Sequence, residues 1–202
     1  MNGEVHIPIG LATAGVISLA VPLMQPHSME MAAGVVICGS IGALTPDIDA
    51  NGDSKAKQNF RKFILLLVIA IFVGKYYGVA QMPTLKGWNL IGGIGLFICY
   101  LYGYTRKHRH FTHELRGLII FSIPSFLCLG LCNGLWFFIG MLSHQISDMC
   151  NHGKILWLYP IKKEKNFSRG WFSGSSAAAE IIGMIAWLFV LMIVNVYSKW
   201  IY

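Results

Sequence analysis

The sequence predicts an all-α, polytopic membrane protein, a helical bundle with about five to seven membrane segments. Two observations predict this fold class. Hydrophobic residues make up 55% of the 202 residues and charged residues only 12%, which is about half the charged share of a soluble domain. The apolar residues also occur in long uncharged runs, which are typical of helices that cross a bilayer. We therefore expect one integral membrane domain over residues 1–202.

Seven apolar segments are candidates for the membrane helices. A full span needs about 20 residues. The first two segments are shorter than this and rich in Gly and Ala, so a shallow re-entrant hairpin is an alternative to two spans. The segments lie at 6–23, 31–46, 61–80, 88–105, 117–132, 134–149 and 177–198.

The distribution of Lys and Arg predicts the orientation. The N-terminus and the loops at 47–60, 106–116 and 150–176 fall on one side of the membrane. Of the 16 Lys and Arg residues, all but Lys75, Lys86 and Lys199 fall on this side. Because cytoplasmic loops carry an excess of positive residues, we expect this side to face the cytoplasm of a bacterial inner membrane. The net charge of +7 then indicates contact with membrane lipids, and no nucleic-acid partner is expected.

Histidines and carboxylates gather at segment ends on this same predicted side. Only His27 and Glu30 fall on the other side. Ionisable groups at membrane depth are costly unless they are paired or functional, so their convergence from distant segments predicts a shared site. The convergent residues are His6, Asp47 and Asp49 in "PDID", His108, Arg109, His110, His113 and Glu114 in "HRHFTHE", His144 and Asp148 in "SHQISD", and Glu180.

The residue types favour a metal site. Histidine nitrogen and carboxylate oxygen are suitable ligands for Zn²⁺, Mn²⁺ or Fe²⁺. His144 and Asp148 are four residues apart, so on a helix they project from one face. Mixed ligands from several helices can hold one or two divalent ions, and such a site can activate water for hydrolysis.

The histidines around position 110 leave two alternatives open. His108 and His113 are five residues apart, so on one straight helix they would point about 140° apart, whereas His110 and His113 would share a face. Either the backbone breaks between His108 and His113, or His110 is the ligand in place of His108.

Other interpretations of the same residues are possible. The run from Asp47 to Asp53 matches the first half of a calcium-binding EF-hand loop, but Gln58 stands where that loop needs a bidentate Glu. A structural metal that ties helix ends together, a metal or proton transporter, and a basic lipid-binding scaffold are the functional alternatives. Transport is disfavoured because the centres of the segments are apolar and the polar groups crowd one face.

The order of these motifs resembles a known family. His6, "PDID" at 46–49, "HRHFTH" at 108–113, "SHQISD" at 143–148 and "GKILWLYPI" at 153–161 are similar to the LexA-regulated, membrane-bound metal-dependent hydrolases. The resemblance extends to about residue 180. This family usually has Gly at the position of His110 and often Ser at the position of Glu114. The His-x-x-x-Asp spacing is also similar, more distantly, to that of zinc-dependent phospholipase C.

The resemblance implies a hydrolase that holds one or two divalent ions, zinc or manganese. The implied metal ligands are His6, Asp47, Asp49, His108, His113, His144 and Asp148. Arg109 is the expected clamp for an anionic phosphate group, and Glu180 is the candidate further ligand or general base. A phosphoester or lipid-linked substrate fits a site at the membrane face.

Overall fold

The computed structural model describes residues 3–21, 29–49, 87–106, 110–150, 157–159 and 177–201. These residues form helices and connecting turns, and they contain no strand. The all-α prediction is therefore confirmed for the described part of the chain. The α-helices are α1 (Gly3–Ala20), α2 (Met29–Leu44), α3 (Trp88–Tyr104), α4 (Leu115–Met149) and α5 (Ala177–Ile201), and two 3₁₀ helices cover Thr45–Asp49 and Phe111–His113.

By length and composition alone, two described helical stretches could cross a membrane: Met31–Asp49, which covers most of α2 and the 3₁₀ helix after it, and Leu115–Met149. His6–Ala20 and Ile181–Ile193 are shorter apolar helices. The predicted number of five to seven membrane segments is not confirmed, because only two of the described helical stretches meet the length and hydropathy of a membrane span. The predicted segment 61–80 lies outside the described residues.

Helix α4 is a helical hairpin that reverses direction at Gly130. The side-chain amide of Gln145 donates a hydrogen bond to the backbone carbonyl of Glu114 at 3.2 Å. In a straight helix these two residues would be about 46 Å apart. Gly130 has φ 79° and ψ 171°, a conformation that is essentially restricted to glycine. The sequence predicts two segments here with a break at 133, so the reversal lies three residues earlier.

Glycines allow α1, α2 and α4 to pack with their backbones in close contact. A Cβ atom at Gly10 would overlap the side chain of Ala43 in α2, and one at Gly42 would overlap the backbone of Phe137 in α4. A Cβ atom at Gly140 would overlap the carbonyl oxygen of Gly39. Small residues at helix interfaces are typical of membrane bundles. The close packing places the start of α1, the end of α2 and the end of α4 together.

Helix α2 ends where Pro46 disfavours helical geometry at the preceding residue. The chain continues as the 3₁₀ helix Thr45–Asp49, whose residues are all buried. The Thr45 hydroxyl binds the carbonyl oxygen of Ile41 at 2.8 Å and the Tyr100 hydroxyl at 2.8 Å. These contacts join the end of α2 to α3 and fix the position of the "PDID" segment.

Large apolar side chains cover the outer faces of α3 and α5. Trp88 is 71% exposed, Phe97 63% and Leu191 62%. Contiguous exposed apolar surface of this kind is rare on soluble monomers. It fits helices whose outer faces contact lipid.

Candidate metal centre

One end of the bundle contains a cluster of buried histidines and aspartates. Each side chain comes from the end of an element or from a short 3₁₀ helix, and none is more than 4% exposed. We call this set the His/Asp cluster. It consists of His6 in α1, Asp47 and Asp49 in the first 3₁₀ helix, His113 in the second 3₁₀ helix, and His144 and Asp148 near the end of α4.

Asp148 is the carboxylate that the histidines share. Its Oδ1 lies 3.5 Å from His6 Nε2. Its Oδ2 lies 3.2 Å from His113 Nε2 and 3.6 Å from His144 Nε2. The contact with His144 follows from the spacing of four residues on one helix, whereas the contacts with His6 and His113 depend on the tertiary fold.

A backbone hydrogen bond fixes the orientation of His144. Its Nδ1 lies 2.6 Å from the carbonyl oxygen of Ala43, which can only accept a proton, so Nδ1 is the protonated nitrogen. The lone pair of a neutral ring is then on Nε2, which lies 3.8 Å from Asp47 Oδ1. Metal-bound histidines usually bind a carbonyl or carboxylate group through the second ring nitrogen in this way.

His6 stacks on His144 and has a similar arrangement of partners. The two ring centroids are 3.7 Å apart with an interplanar angle of 23°, and His6 Nδ1 lies 2.8 Å from the hydroxyl oxygen of Ser147. Within the described residues, Nε2 of His6 and Nε2 of His144 are buried without a hydrogen-bond partner. Buried polar atoms of this kind call for an explanation, and a bound ion is one that accounts for both.

The second aspartate of "PDID" contacts the second 3₁₀ helix. Asp49 Oδ2 accepts a hydrogen bond of 2.5 Å from the hydroxyl group of Thr112 and lies 3.4 Å from His113 Nδ1. Burial lowers the pKa of His113, but the charges and hydrogen bonds of Asp49 and Asp148 outweigh burial and raise the pKa to about 10. Without a metal ion, His113 is therefore protonated at neutral pH.

Gln145 connects the cluster to the loop that precedes α4. Its Nε2 donates hydrogen bonds to the carbonyl oxygens of Thr112 at 3.0 Å and Glu114 at 3.2 Å. Its Oε1 accepts a hydrogen bond of 3.0 Å from Trp157 Nε1. The side chain of Gln145 thus holds the backbone on both sides of His113.

The distances in the cluster are compatible with a metal ion. Ligands about 2.1 Å from a tetrahedral ion are roughly 3.4 Å apart, and the four His–Asp pairs around Asp148 and Asp47 are separated by 3.2 to 3.8 Å. Two groups of three residues have ligand atoms within 4.8 Å of one another. They are His6, His144 and Asp148, and Asp47, His113 and His144.

Because His144 belongs to both groups and has only Nε2 available, it can serve one ion. If two ions are bound, the remaining ligands must be distributed between them. Oδ1 of Asp148 faces His6, and its Oδ2 faces His113.

Three of the predicted site residues are not among the described side chains. His108 and Arg109 lie outside the described residues, so the choice between His108 and His110 stays open. His110 lines a separate cavity beside the cluster. Glu180 lies in the first turn of α5, and its side chain is not among those described.

Sequence reasoning missed the partners that orient the ligands. Thr112, Gln145 and Ser147 stand inside the quoted motifs "HRHFTH" and "SHQISD", but they were given no role. In the sequence, the signal for such partners is a small or amide side chain that stands beside or between candidate ligands. The carbonyl group of Ala43 offers no signal, since any residue carries one.

The fold and the cluster define a helical membrane protein with a buried His/Asp site at one end. The family model for the YdjM inner membrane protein family matches residues 1–202, so the chain belongs to that family and is an inner membrane protein. No curated protein and no solved structure matches the chain.

Proposed function

We propose that this protein is a metal-dependent hydrolase that acts at the cytoplasmic membrane face on a phosphoester or lipid-linked substrate. The observation that supports this proposal most directly is the His/Asp cluster, in which two buried histidine nitrogens have no described hydrogen-bond partner. Its mixture of nitrogen and oxygen atoms suits zinc or manganese.

The proposed roles of the individual residues are as follows. His6, His113, His144 and the aspartates would hold one or two ions, which supply a bound water of lowered pKa. The carbonyl group of Ala43 keeps His144 Nε2 directed at the site, and Thr112 keeps Asp49 in place. Arg109 would bind the anionic group of the substrate. Glu180 would be a further ligand or the general base.

The position of the His/Asp cluster in the bundle supports a lipid-linked substrate. It lies at the end of a bundle whose outer helices expose apolar side chains, so a substrate with an acyl or isoprenoid tail could remain in the bilayer. Only its polar end would need to approach the cluster.

A structural metal is the second candidate, and burial is the observation that favours it. Every side chain of the cluster is at most 4% exposed, whereas a catalytic ion keeps a position open for water or substrate. The two functions differ in their response to metal removal. A catalytic ion can leave a folded protein, but loss of a structural ion unfolds it.

The first test measures metal in the purified protein by mass spectrometry. We expect one or two equivalents of a transition metal in the wild type and none in the His144→Ala/Asp148→Ala variant. Ser143→Ala is the matched control, because the Ser143 hydroxyl group donates only to the carbonyl oxygen of Gly140 in its own helix. A metal-free wild type after metal-replete purification would refute both functions.

The second test separates the two functions. The metal is removed with a chelator, and both phosphodiester hydrolysis and the unfolding temperature are measured. The hydrolase proposal expects hydrolysis to stop while the protein remains folded, and to return when zinc or manganese is added. Unfolding upon chelation, with no hydrolysis before it, would establish the structural role instead.

A further inference from the structure

A cavity of about 330 Å³ lies beside the His/Asp cluster, between the end of α3 and the start of α4. Two arginines and a histidine contribute to its walls. The described lining residues are Tyr102, Thr105, Arg106, His110, Phe111 and Arg116.

The cavity and the cluster share a wall. His110 and Phe111 line the cavity, and the backbone N–H of His113 donates to the carbonyl oxygen of His110 at 2.8 Å. Three residues of 3₁₀ helix rise about 6 Å, so the cavity is one short turn from a proposed metal ligand. A group bound in the cavity would therefore lie next to a reaction at the cluster.

Aromatic rings hold the two arginines at the cavity. The guanidinium carbon of Arg106 lies 4.0 Å from the centroid of the Tyr102 ring. That of Arg116 lies 4.7 Å from the Tyr159 ring and 5.6 Å from the Phe111 ring. Stacking leaves the in-plane N–H donors of a guanidinium group free to bind other groups.

The charges favour an anion. Arg116 forms an ion pair with Glu114, whose side chain is 1% exposed and does not line the cavity. Arg106 forms no ion pair with any of the described residues. Among the described residues, the cavity walls thus present one arginine without an ion-pair partner, a second arginine and a histidine, and no carboxylate.

We propose that this cavity binds the phosphate group of the substrate through hydrogen bonds from Arg106 and Arg116, and that these two arginines share the role of anion clamp with Arg109. The proposal rests on the hydrolase function and assigns a specificity site to it. The planar guanidinium fork matches phosphate oxygens in a bidentate manner. The volume falls at the lower end of ligand cavities, so it also accommodates part of the esterified alcohol.

The test measures phosphate binding by the full-length, metal-free protein in a neutral detergent. Titration calorimetry with inorganic phosphate compares the wild type with Arg106→Gln and with Glu114→Gln/Arg116→Gln. The double variant avoids leaving Glu114 buried without its partner. We expect each variant to bind phosphate about tenfold more weakly, or worse, because a charged hydrogen bond is lost.

Lys199→Gln is the matched control, since it also removes one positive charge. Val196 lines a groove with Leu19 and Ala20, at the opposite end of α1 from His6. Lys199 follows Val196 by less than one turn and is therefore remote from the cavity. We expect this variant to bind phosphate as the wild type does.

A second arm distinguishes a lipid phosphate from a soluble one. The titration is repeated in micelles that contain phosphatidylglycerol or phosphatidylcholine. If phosphatidylglycerol weakens phosphate binding in the wild type but not in Arg106→Gln, then the cavity binds an anionic lipid headgroup. Equal affinity in both micelles assigns it to a soluble phosphoester.

The phosphate-site proposal and the hydrolase proposal are contradicted by different experimental results. Undetectable phosphate binding by the wild type, or the same affinity in all four proteins, overturns the phosphate site whatever the metal content. Absence of metal from the wild type, with arginine-dependent phosphate binding retained, overturns the hydrolase and leaves the anion site in place.

Discussion

Thr112 is a residue whose single hydroxyl group contacts two candidate ligands. Its Oγ1 donates to Asp49 Oδ2 at 2.5 Å and lies 3.1 Å from His113 Nδ1. The side chain is fully buried, so water cannot replace the hydroxyl group. Hydrogen bonds from such residues set the rotamer and basicity of metal ligands.

Replacement of Thr112 by Val should weaken metal binding while preserving the shape of the side chain. We expect about 10- to 100-fold lower zinc affinity and a loss of about 1–3 kcal/mol in the free energy of unfolding. Competition with a chromophoric chelator measures the affinity. Thr13→Val is the control, since the Thr13 hydroxyl group donates only to Ile9 in its own helix. Equal affinities in the two variants would contradict the role of Thr112.

His113 should release a proton when the metal-free protein binds zinc. Its pKa is raised to about 10 from the ordinary value of 6.5, so at pH 7 the ring must lose a proton before it can bind a metal. Calorimetry in buffers of different ionisation enthalpy counts the released protons. We expect fewer protons from His113→Gln. Equal proton release would contradict either the raised pKa of His113 or its role as a ligand.

The same pKa shift determines how the stability of the metal-free protein changes with pH. The folded-state pKa lies above the ordinary one, so His113 stabilises the metal-free protein fully below pH 6.5. This contribution is lost as the pH rises through about 10. Between these pH values, the free energy of unfolding of the metal-free protein should therefore fall as the pH rises. It should fall less in His113→Gln. A stability that increases over this range would contradict the shift.

At the level of elements, hydrophobic runs predicted where the helices lie but not how their ends meet. The segments 88–105 and 177–198 agree with α3 and α5 within three residues, because long apolar runs have few alternatives in a membrane. The 3₁₀ helices Thr45–Asp49 and Phe111–His113 were not predicted. Their geometry depends on tertiary contacts such as the Thr45–Tyr100 hydrogen bond, which periodicity cannot indicate.

The contact between α2 and α4 makes Gly140 sensitive to substitution. A methyl group there would overlap the carbonyl oxygen of Gly39 and push the helices apart, one turn from the His144–Ala43 hydrogen bond. We expect Gly140→Ala to lower the free energy of unfolding by about 1–3 kcal/mol and to reduce zinc affinity. Thermal unfolding and chelator competition measure the two effects.

Gly95→Ala is the control for this contact. Its Cβ atom would meet the side chain of Pro124 at 3.0 Å and no backbone atom, far along α3 from the cluster. We expect a smaller loss of stability and unchanged zinc affinity. If Gly140→Ala binds zinc as tightly as Gly95→Ala, the spacing of α2 and α4 does not determine the position of His144.

For the whole molecule, the structure places the His/Asp cluster and the arginine-lined cavity at the same end of the bundle. His6 begins α1, Asp47 follows α2, and Arg106 follows α3. The apolar groove at Ala20 and Val196 marks the opposite end. A phosphoester substrate would therefore meet both sites from one side of the membrane only, and the orientation decides which compartment supplies it.

The positive residues predict that this side is the cytoplasm, and labelling of single cysteines can test the prediction. In a background without the five native cysteines, Lys86→Cys and Lys107→Cys place a thiol before and after α3. An impermeant maleimide should label Lys86→Cys in cells with a permeabilised outer membrane, and Lys107→Cys only after the inner membrane is broken. Both should react equally in lysed cells. Because the positive-inside rule counts residues close to span ends, the reverse pattern would contradict it and would assign the site to periplasmic substrates.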